Sequence, residues 1–262
     1  MTDLREFAAF AERLADVGRR SALHWREQAL ETRDKRADGA FDPVTRADRE
    51  TEAAMRAYIE RHYPDHGING EEMGAVAGSS PYGWSLDPID GTRSFLCNLP
   101  SWSILVALLE QEQPVLGVID IPMLGERLIG WASHCWRQKG EQRAIAKASG
   151  CRTLEQARIS TTDPYLFSDQ ERNAFDRVRR AALLTRFGHD GFAYARLATG
   201  DIDLVLESGL EPHDRNALIP VVRAAGGAVS NWRGEHDFAD GCLVAAASGE
   251  LLRATVKLLQ EA

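Results

Sequence analysis

No apolar run in the chain approaches the roughly 20 residues needed to span a bilayer, so no membrane-spanning helix is expected. The opening stretch, MTDLREFAAFAERLADVGRR, lacks the basic start and apolar block of a secretory signal, and a cytoplasmic location is the expectation. Cysteine is scarce: Cys97, Cys135, Cys151 and Cys242 are scattered without a C-x-x-C pair, which speaks against a zinc knuckle or a disulfide framework. No basic stripe stands out, and the net charge of −8 argues against a nucleic-acid or anionic-membrane partner. That charge also sets a condition. An anionic ligand needs bound cations to reverse the local field. Linkers, repeats and low-complexity tracts are missing as well, so the 262 residues read as one compact unit with two subdomains.

What is present is periodic. Leu4, Phe7, Ala8, Leu14 and Val17 predict a helix over 4–30, a polar loop follows over 32–48, and a second helix stops at Pro64. GINGEEMG (67–74) reads as a short strand entering a turn. SWSILVALLE, PVLGVIDIP and ERLIGWAS read as three successive strands joined by tight turns, which predicts an antiparallel sheet in the first half. After about residue 150 strands and helices alternate: strands in ARISTT, ALLTRFG, IDLVLES and CLVAAAS, helices over 168–182, 190–200, 213–227 and 249–261. Alternation of that kind means an α/β half.

One stretch stands apart. Residues 84–95 read WSLDPIDGTRSF, a strand-like approach running directly into two aspartates, a glycine and a threonine. Asp-Pro and Asp-Gly form turns, and Thr92 can cap a following helix. Turn chemistry does not explain a second aspartate three residues after the first, beside a sharp turn and a helix start. Acids stand at element edges elsewhere: Asp48 in PVTRAD, Glu71 and Glu72 in NGEEMG, Asp214 in GLEPHDRNALIPVVRAAGG. Singly, Asp48 and Asp214 read as helix N-caps and the glutamate pair as a solvated turn.

Taken together, GEE, then DPIDGT about fifteen residues later, then an aspartate opening a helix that ends in AGG, with PVTRAD upstream, resemble the inositol-monophosphatase family from about residue 35 to 250. The resemblance implies an α/β (α+β) fold, a layered α-β-α-β-α sandwich. An antiparallel-rich N-terminal half (1–145) would carry the metal motifs, and an α/β C-terminal half (146–262) would complete the active site. It implies Mg²⁺ as cofactor: Glu71 and Asp87 with the Ile89 carbonyl at one ion, Asp87, Asp90 and Asp214 at a second. An oxygen-only ligand set without Cys or His is what Mg²⁺ prefers. The resemblance further implies that Gly91 and Thr92 meet the substrate phosphate through backbone N–H groups, and that Thr92 and Asp48, assisted by Glu71, activate water. The partner is then a small-molecule phosphate ester, and a homodimer is among the assemblies implied, with the apolar first-half strands available as its interface.

Two departures bear on the ester. Inositol enzymes of the family usually carry Thr-Asn-Phe at the DPIDGT motif and Trp before the final metal-binding aspartate; this chain has Arg93-Ser94-Phe95 and His213-Asp214. Both resemble the histidinol-phosphate phosphatase branch, which implies L-histidinol phosphate and a place in histidine synthesis. By spacing, Asp190 falls where inositol enzymes carry a small residue, Glu207 falls on a residue that meets substrate, and Glu211 is a third acid nearby. A cationic leaving group suits three acids better than a neutral polyol does. Arg93, Asp190 and Glu207 are thus candidate substrate contacts, while His189 and His213 carry weaker signals. Inositol 1-phosphate or a general sugar phosphate is the alternative substrate, and a non-catalytic metal- or phosphate-sensing protein the alternative class.

Overall fold

The computed structural model describes residues 4–27, 32–34 and 43–261. Helix α1 (Leu4–Arg26) turns a stripe of Phe7, Phe10, Ala11, Leu14 and Ala15 inward. The expected polar loop over 32–48 contains instead two short strands, β1 (Thr32–Asp34) and β2 (Pro43–Thr45), paired antiparallel, and then the start of α2 (Arg46–His62). Residues 35–42 of that loop lie outside the described residues. Helix α2 buries Asp48, Thr51, Glu52, Met55, Arg56 and Ile59 along one face and ends just before Pro64, which lacks the N–H to continue it.

The first sheet has eight strands. β3 (Gly67–Gly70) turns into β4 (Gly74–Val76); β5 (Tyr82–Asp90) lies parallel to β3 and leads into the one-turn helix α3 (Thr92–Leu96). β6 (Ser103–Glu110), β7 (Gln113–Ile121), β8 (Glu126–Trp131), β9 (His134–Lys139) and β10 (Gln142–Ile145) then meander antiparallel, giving the order β10-β9-β8-β7-β6-β5-β3-β4. The three expected strands are there. β9, β10 and β4 escaped the sequence reading because they are edge or near-edge strands, mostly polar or exposed.

The second sheet is mixed. β11 (Arg158–Thr161), helix α4 (Asp169–Ala181), β12 (Leu184–Phe187), helix α5 (Asp190–Ala198) and β13 (Leu204–Glu207) come first. Helices α6 (Pro212–Arg215) and α7 (Leu218–Ala224), strands β14 (Ala228–Ser230) and β15 (Leu243–Ala246), and helix α8 (Gly249–Leu259) complete it. The order is β12-β11-β13-β15-β14, with β11 parallel to both neighbours. The single helix expected over 213–227 is split into α6 and α7. Pro220 has no N–H for the Asn216 carbonyl, so the ladder breaks there.

Five layers result: α1 and α2, the eight-stranded sheet, α5 and α7, the five-stranded sheet, then α4 and α8. Gly117 and Gly130 let α7 lie directly on β7 and β8; a Cβ would stand 2.0 Å from the Ala217 carbonyl oxygen and 2.6 Å from Val221 Cα. Strands β6, β7 and β8 are apolar because helices cover both faces over most of their length, leaving exposed or half-buried residues only at their ends. Among the described residues no helix is long and apolar enough to cross a membrane.

Candidate active site

Strand β5 runs out of the core with Trp84, Leu86 and Ile89 fully buried and delivers Asp87 and Asp90 at its end. Its pairing with β6 loses register between those two residues, and Asp90 comes opposite Ser103. Gly91 then turns the chain at φ 81°, a left-handed conformation that favours glycine, and Thr92 opens α3. The Thr92 hydroxyl donates to the Ile89 carbonyl at 3.3 Å. Glu71 enters from the β3–β4 turn, its N–H on the Leu86 carbonyl at 3.3 Å. Asp214 arrives on α6 from the other half of the chain.

These residues meet at a cavity of about 520 Å³, also lined by Arg93, Asp190, Glu207, Glu211, His213 and the backbone at Gly91. Of the sequence-predicted site residues only Asp48 is absent from that lining. It sits 1% exposed in the first turn of α2, close enough for its charge to act on Asp87. Asp48 is the third residue of its helix and so no N-cap. Asp214 is likewise the third residue of α6 and no N-cap; Glu211 holds that place, and the Asp214 carboxylate accepts the Glu211 N–H at 2.7 Å as half of a capping box.

Electrostatics mark the cluster. Burial, then the charges of Glu71, Asp90, Asp214 and Asp48, push the Asp87 carboxyl well above the usual carboxylate range. Asp90 is raised by burial, Asp190 and Asp214, against the pull of donors from Ser103 and the Gly191 N–H. Burial raises Asp214 also, with Glu71 and Glu211 adding to it and His213 and the Glu211 N–H opposing. Mutually repelling buried carboxylates with only oxygen donors suit a hard cation. Among the described residues, no three His, Cys, Asp or Glu side chains already form a group able to hold a metal ion. Within the cluster Asp87 accepts from the Ile89 N–H, Asp90 from the Ser103 hydroxyl and the Gly191 N–H, and Asp214 from the Glu211 N–H. The chemistry of the donors fits such an ion.

Of the acids predicted near the substrate, Glu207 is buried, Asp190 half-buried and Glu211 exposed. Asp190 takes φ 43° at the start of α5, and its carboxylate stands 2.9 Å from where a Gly91 Cβ would be. Burial lifts it to about 6, with Arg93 and Thr162 pulling it down and Asp214 raising it. Arg93 also stands 3.6 Å from Asp163. Glu207 is 5% exposed and accepts from the Thr162 N–H and hydroxyl and from the Thr161 hydroxyl. Burial still lifts it to about 8. His213 lies 3.5 Å from Asp214; burial lowers His189, whose ring meets Phe192 rather than the cavity.

Sequence reasoning missed Ser103, Thr162, Gly191 and Tyr194. The pair of threonines ending ARISTT was a readable sign, since a strand rarely ends its buried course in two hydroxyls without partners for them. Tyr194 lines the cavity, is 1% exposed, and its hydroxyl has no hydrogen-bond partner among the described residues. A lone phenol on the small-residue helix GFAYARLA gave no comparable signal.

The model of the Inositol monophosphatase family matches residues 3–262. The chain is 41% identical over 237 residues to the bifunctional phosphatase IMPL2, chloroplastic, of Arabidopsis thaliana, covering 90% of this chain and 67% of that one. It is 31% identical to a histidinol-phosphatase of Chlorobaculum parvum, over 86% and 85% of the two chains. Among solved structures, an inositol monophosphatase from Zymomonas mobilis superposes with a TM-score of 0.86 at 33% identity, over 100% of both chains.

Proposed function

Since the chain belongs to the inositol monophosphatase family, we propose that it is a Mg²⁺-dependent phosphate-monoester hydrolase whose substrate is L-histidinol phosphate. The observation that carries the hydrolase reading is the convergence of Glu71, Asp87, Asp90 and Asp214 on one cavity, with Asp87 held in excess negative charge. In this reading Glu71, Asp87 and the Ile89 carbonyl would hold one Mg²⁺, and Asp87, Asp90 and Asp214 would hold a second. Mg²⁺ bound there supplies Lewis acidity toward phosphoryl oxygens and acidifies a coordinated water. The protein's own groups do the rest. The Gly91 and Thr92 N–H groups orient the phosphate. Thr92, Asp48 and Glu71 draw the proton from the attacking water as its oxygen bonds to phosphorus. The P–O ester bond opposite breaks, and the leaving alkoxide takes a proton from solvent water to depart as the alcohol. No Cys or His nucleophile is involved, so no phosphoenzyme forms.

Substrate choice rests on the acids beyond the phosphate. Asp190, Glu207 and Glu211 line the same cavity, where an ammonium or imidazolium is favoured and a neutral polyol has no use for the charge. Glu207 holds a proton near neutral pH, and an incoming cation would draw it off. The histidinol-phosphatase relative supports this choice; the bifunctional relative favours a second reading, in which a further ester is also turned over, and inositol 1-phosphate or another sugar phosphate is the candidate we test. The test is Mg²⁺-dependent phosphate release from histidinol phosphate, inositol 1-phosphate, fructose 1,6-bisphosphate and a nucleoside 3',5'-bisphosphate, with Asp190→Asn alongside the wild type. A charge-assisted hydrogen bond of about 1.5–3 kcal/mol makes the expected loss roughly 10- to 150-fold in kcat/KM for histidinol phosphate. It falls mostly on KM, with neutral esters spared. Equal losses on all esters would make Asp190 structural and remove the basis for the substrate.

A further inference from the structure

We propose that Glu52 and Arg56, on α2 and outside the cavity, are positioning residues that hold the Glu71 carboxylate in register for metal binding. The inference rests on the reading of Glu71 as a metal ligand. Glu52 is 0% exposed and Arg56 5%, and neither lines the cavity. One Glu52 oxygen accepts the Glu72 N–H at 2.7 Å; the other accepts the Met73 N–H at 3.1 Å and the Arg56 Nε at 2.7 Å. Arg56 donates in turn to the Gly74 carbonyl. The whole β3–β4 turn after Glu71 is thereby fastened to α2. Before it, the Glu71 N–H is fastened to Leu86, the residue preceding Asp87. Glu71 is therefore the one residue of the turn gripped by the sheet on one side and by α2 on the other.

The grip leaves no slack. A Cβ on Gly70 would stand 2.3 Å from a Glu52 oxygen, so the carboxylate lies against the strand that feeds Glu71. Asp48, Glu52 and Arg56 recur every four residues and share the buried face of α2. One helix face thus carries a residue of the proposed water-activating group and, one turn on, the clamp for a proposed ligand. The buried Glu52 carboxylate accepts three N–H groups, two on one oxygen and one on the other. Glutamine can keep its carbonyl on the Met73 and Arg56 donors only by setting its amide nitrogen against the Glu72 N–H, so Glu52→Gln breaks the clamp at the residue next to Glu71 with almost no change of shape.

The experiment titrates the full-length protein with Mg²⁺ alone by calorimetry, then measures phosphate release against Mg²⁺ at saturating ester. Substitution of residues that orient metal ligands costs about 10- to 100-fold in metal affinity. Glu52→Gln should weaken Mg²⁺ binding by that order, while kcat at saturating Mg²⁺ and KM for the ester stay within about threefold of wild type. Arg56→Lys keeps the charge but loses the fork that reaches Gly74, and should give a smaller loss in the same direction. In a Glu71→Gln background, Glu52→Gln should cost nothing further, because its effect passes through Glu71. Unchanged Mg²⁺ affinity, or full additivity with Glu71→Gln, overturns the proposal. Should Glu52→Gln fail to fold, Arg56→Lys and its cycle with Glu71→Gln decide the matter in the same way. If the wild type takes up no Mg²⁺, the metal reading itself fails and the proposal falls with it, an outcome distinct from the other two.

Discussion

Replacing Glu207 by glutamine should make the metal-free protein more stable at high pH and leave it nearly unchanged at low pH. The glutamate sits 5% exposed under the cavity, with one oxygen on the Thr162 N–H at 2.8 Å and its hydroxyl at 2.9 Å, the other on Thr161 at 3.2 Å. Burial outweighs the Thr162 and Thr161 donors, Asp190 adds its charge, and the carboxyl rises from 4.5 to about 8. A raised value means that the folded state keeps a proton which the unfolded chain has given up. The associated stability is complete below 4.5 and is lost as pH rises through about 8. At about 1.36 kcal/mol per pH unit, that interval amounts to roughly 5 kcal/mol at most. Asp190 shares the titration, so roughly 2–5 kcal/mol is the working range. Glutamine keeps the geometry: its carbonyl accepts from Thr162, and its amide can donate to the Thr161 hydroxyl. Urea unfolding of both proteins with chelator present, from about pH 5 to about pH 9, measures the difference. Asp87, Asp90 and Asp190 titrate in both proteins and largely cancel. A difference that does not change with pH would refute the reasoning, as would a variant that weakens relative to wild type as pH rises.

Asp87→Asn should abolish turnover at ordinary Mg²⁺ with an unchanged circular-dichroism spectrum, since one lost anion weakens both proposed ions; near-normal kcat would sink the bridging role. Thr92→Ala should lower kcat by roughly 10²-fold, the scale of a lost general-base relay, with KM little changed because the backbone N–H survives. Rapid-quench trapping of a phosphoprotein would contradict direct attack by water. Gly191→Ala places a Cβ 2.6 Å from an Asp90 oxygen and 2.8 Å from the Ser103 hydroxyl. It should cost about 1–3 kcal/mol in urea unfolding, the usual scale of overpacking, and also weaken the response to Mg²⁺. An alanine variant as stable as wild type would show that the Asp90 contact is loose.

Much of the architecture was readable because burial imposes period. The stripe of α1 and the runs of β6, β7 and β8 are apolar for want of any wet face, and DPIDGT carries its own turn chemistry in six adjacent residues. The misses have equally local reasons. β9 (HCWRQK) and β10 (QRAI) have exposed, mixed-polarity faces that no alternation betrays. The β1–β2 ladder hides in a segment whose composition reads as loop. The break between α6 and α7 was visible in Pro220, but the surrounding apolar spacing overrode it.

The chain by itself determined which acids exist, which elements carry them, and that Asp87, Asp90, Gly91 and Thr92 share one turn, because those relations are made along the backbone. Only the tertiary structure decided that Glu71 and Asp214 stand near Asp87, that Asp190 lies over Gly91, and that Glu207 sinks between Thr161 and Thr162. Proton affinity and charge repulsion act through space. Thr161 and Thr162 are 46 and 45 residues from Glu207, and Gly191 is 101 from Asp90. No local pattern can encode the dielectric and the neighbours that folding brings across such separations.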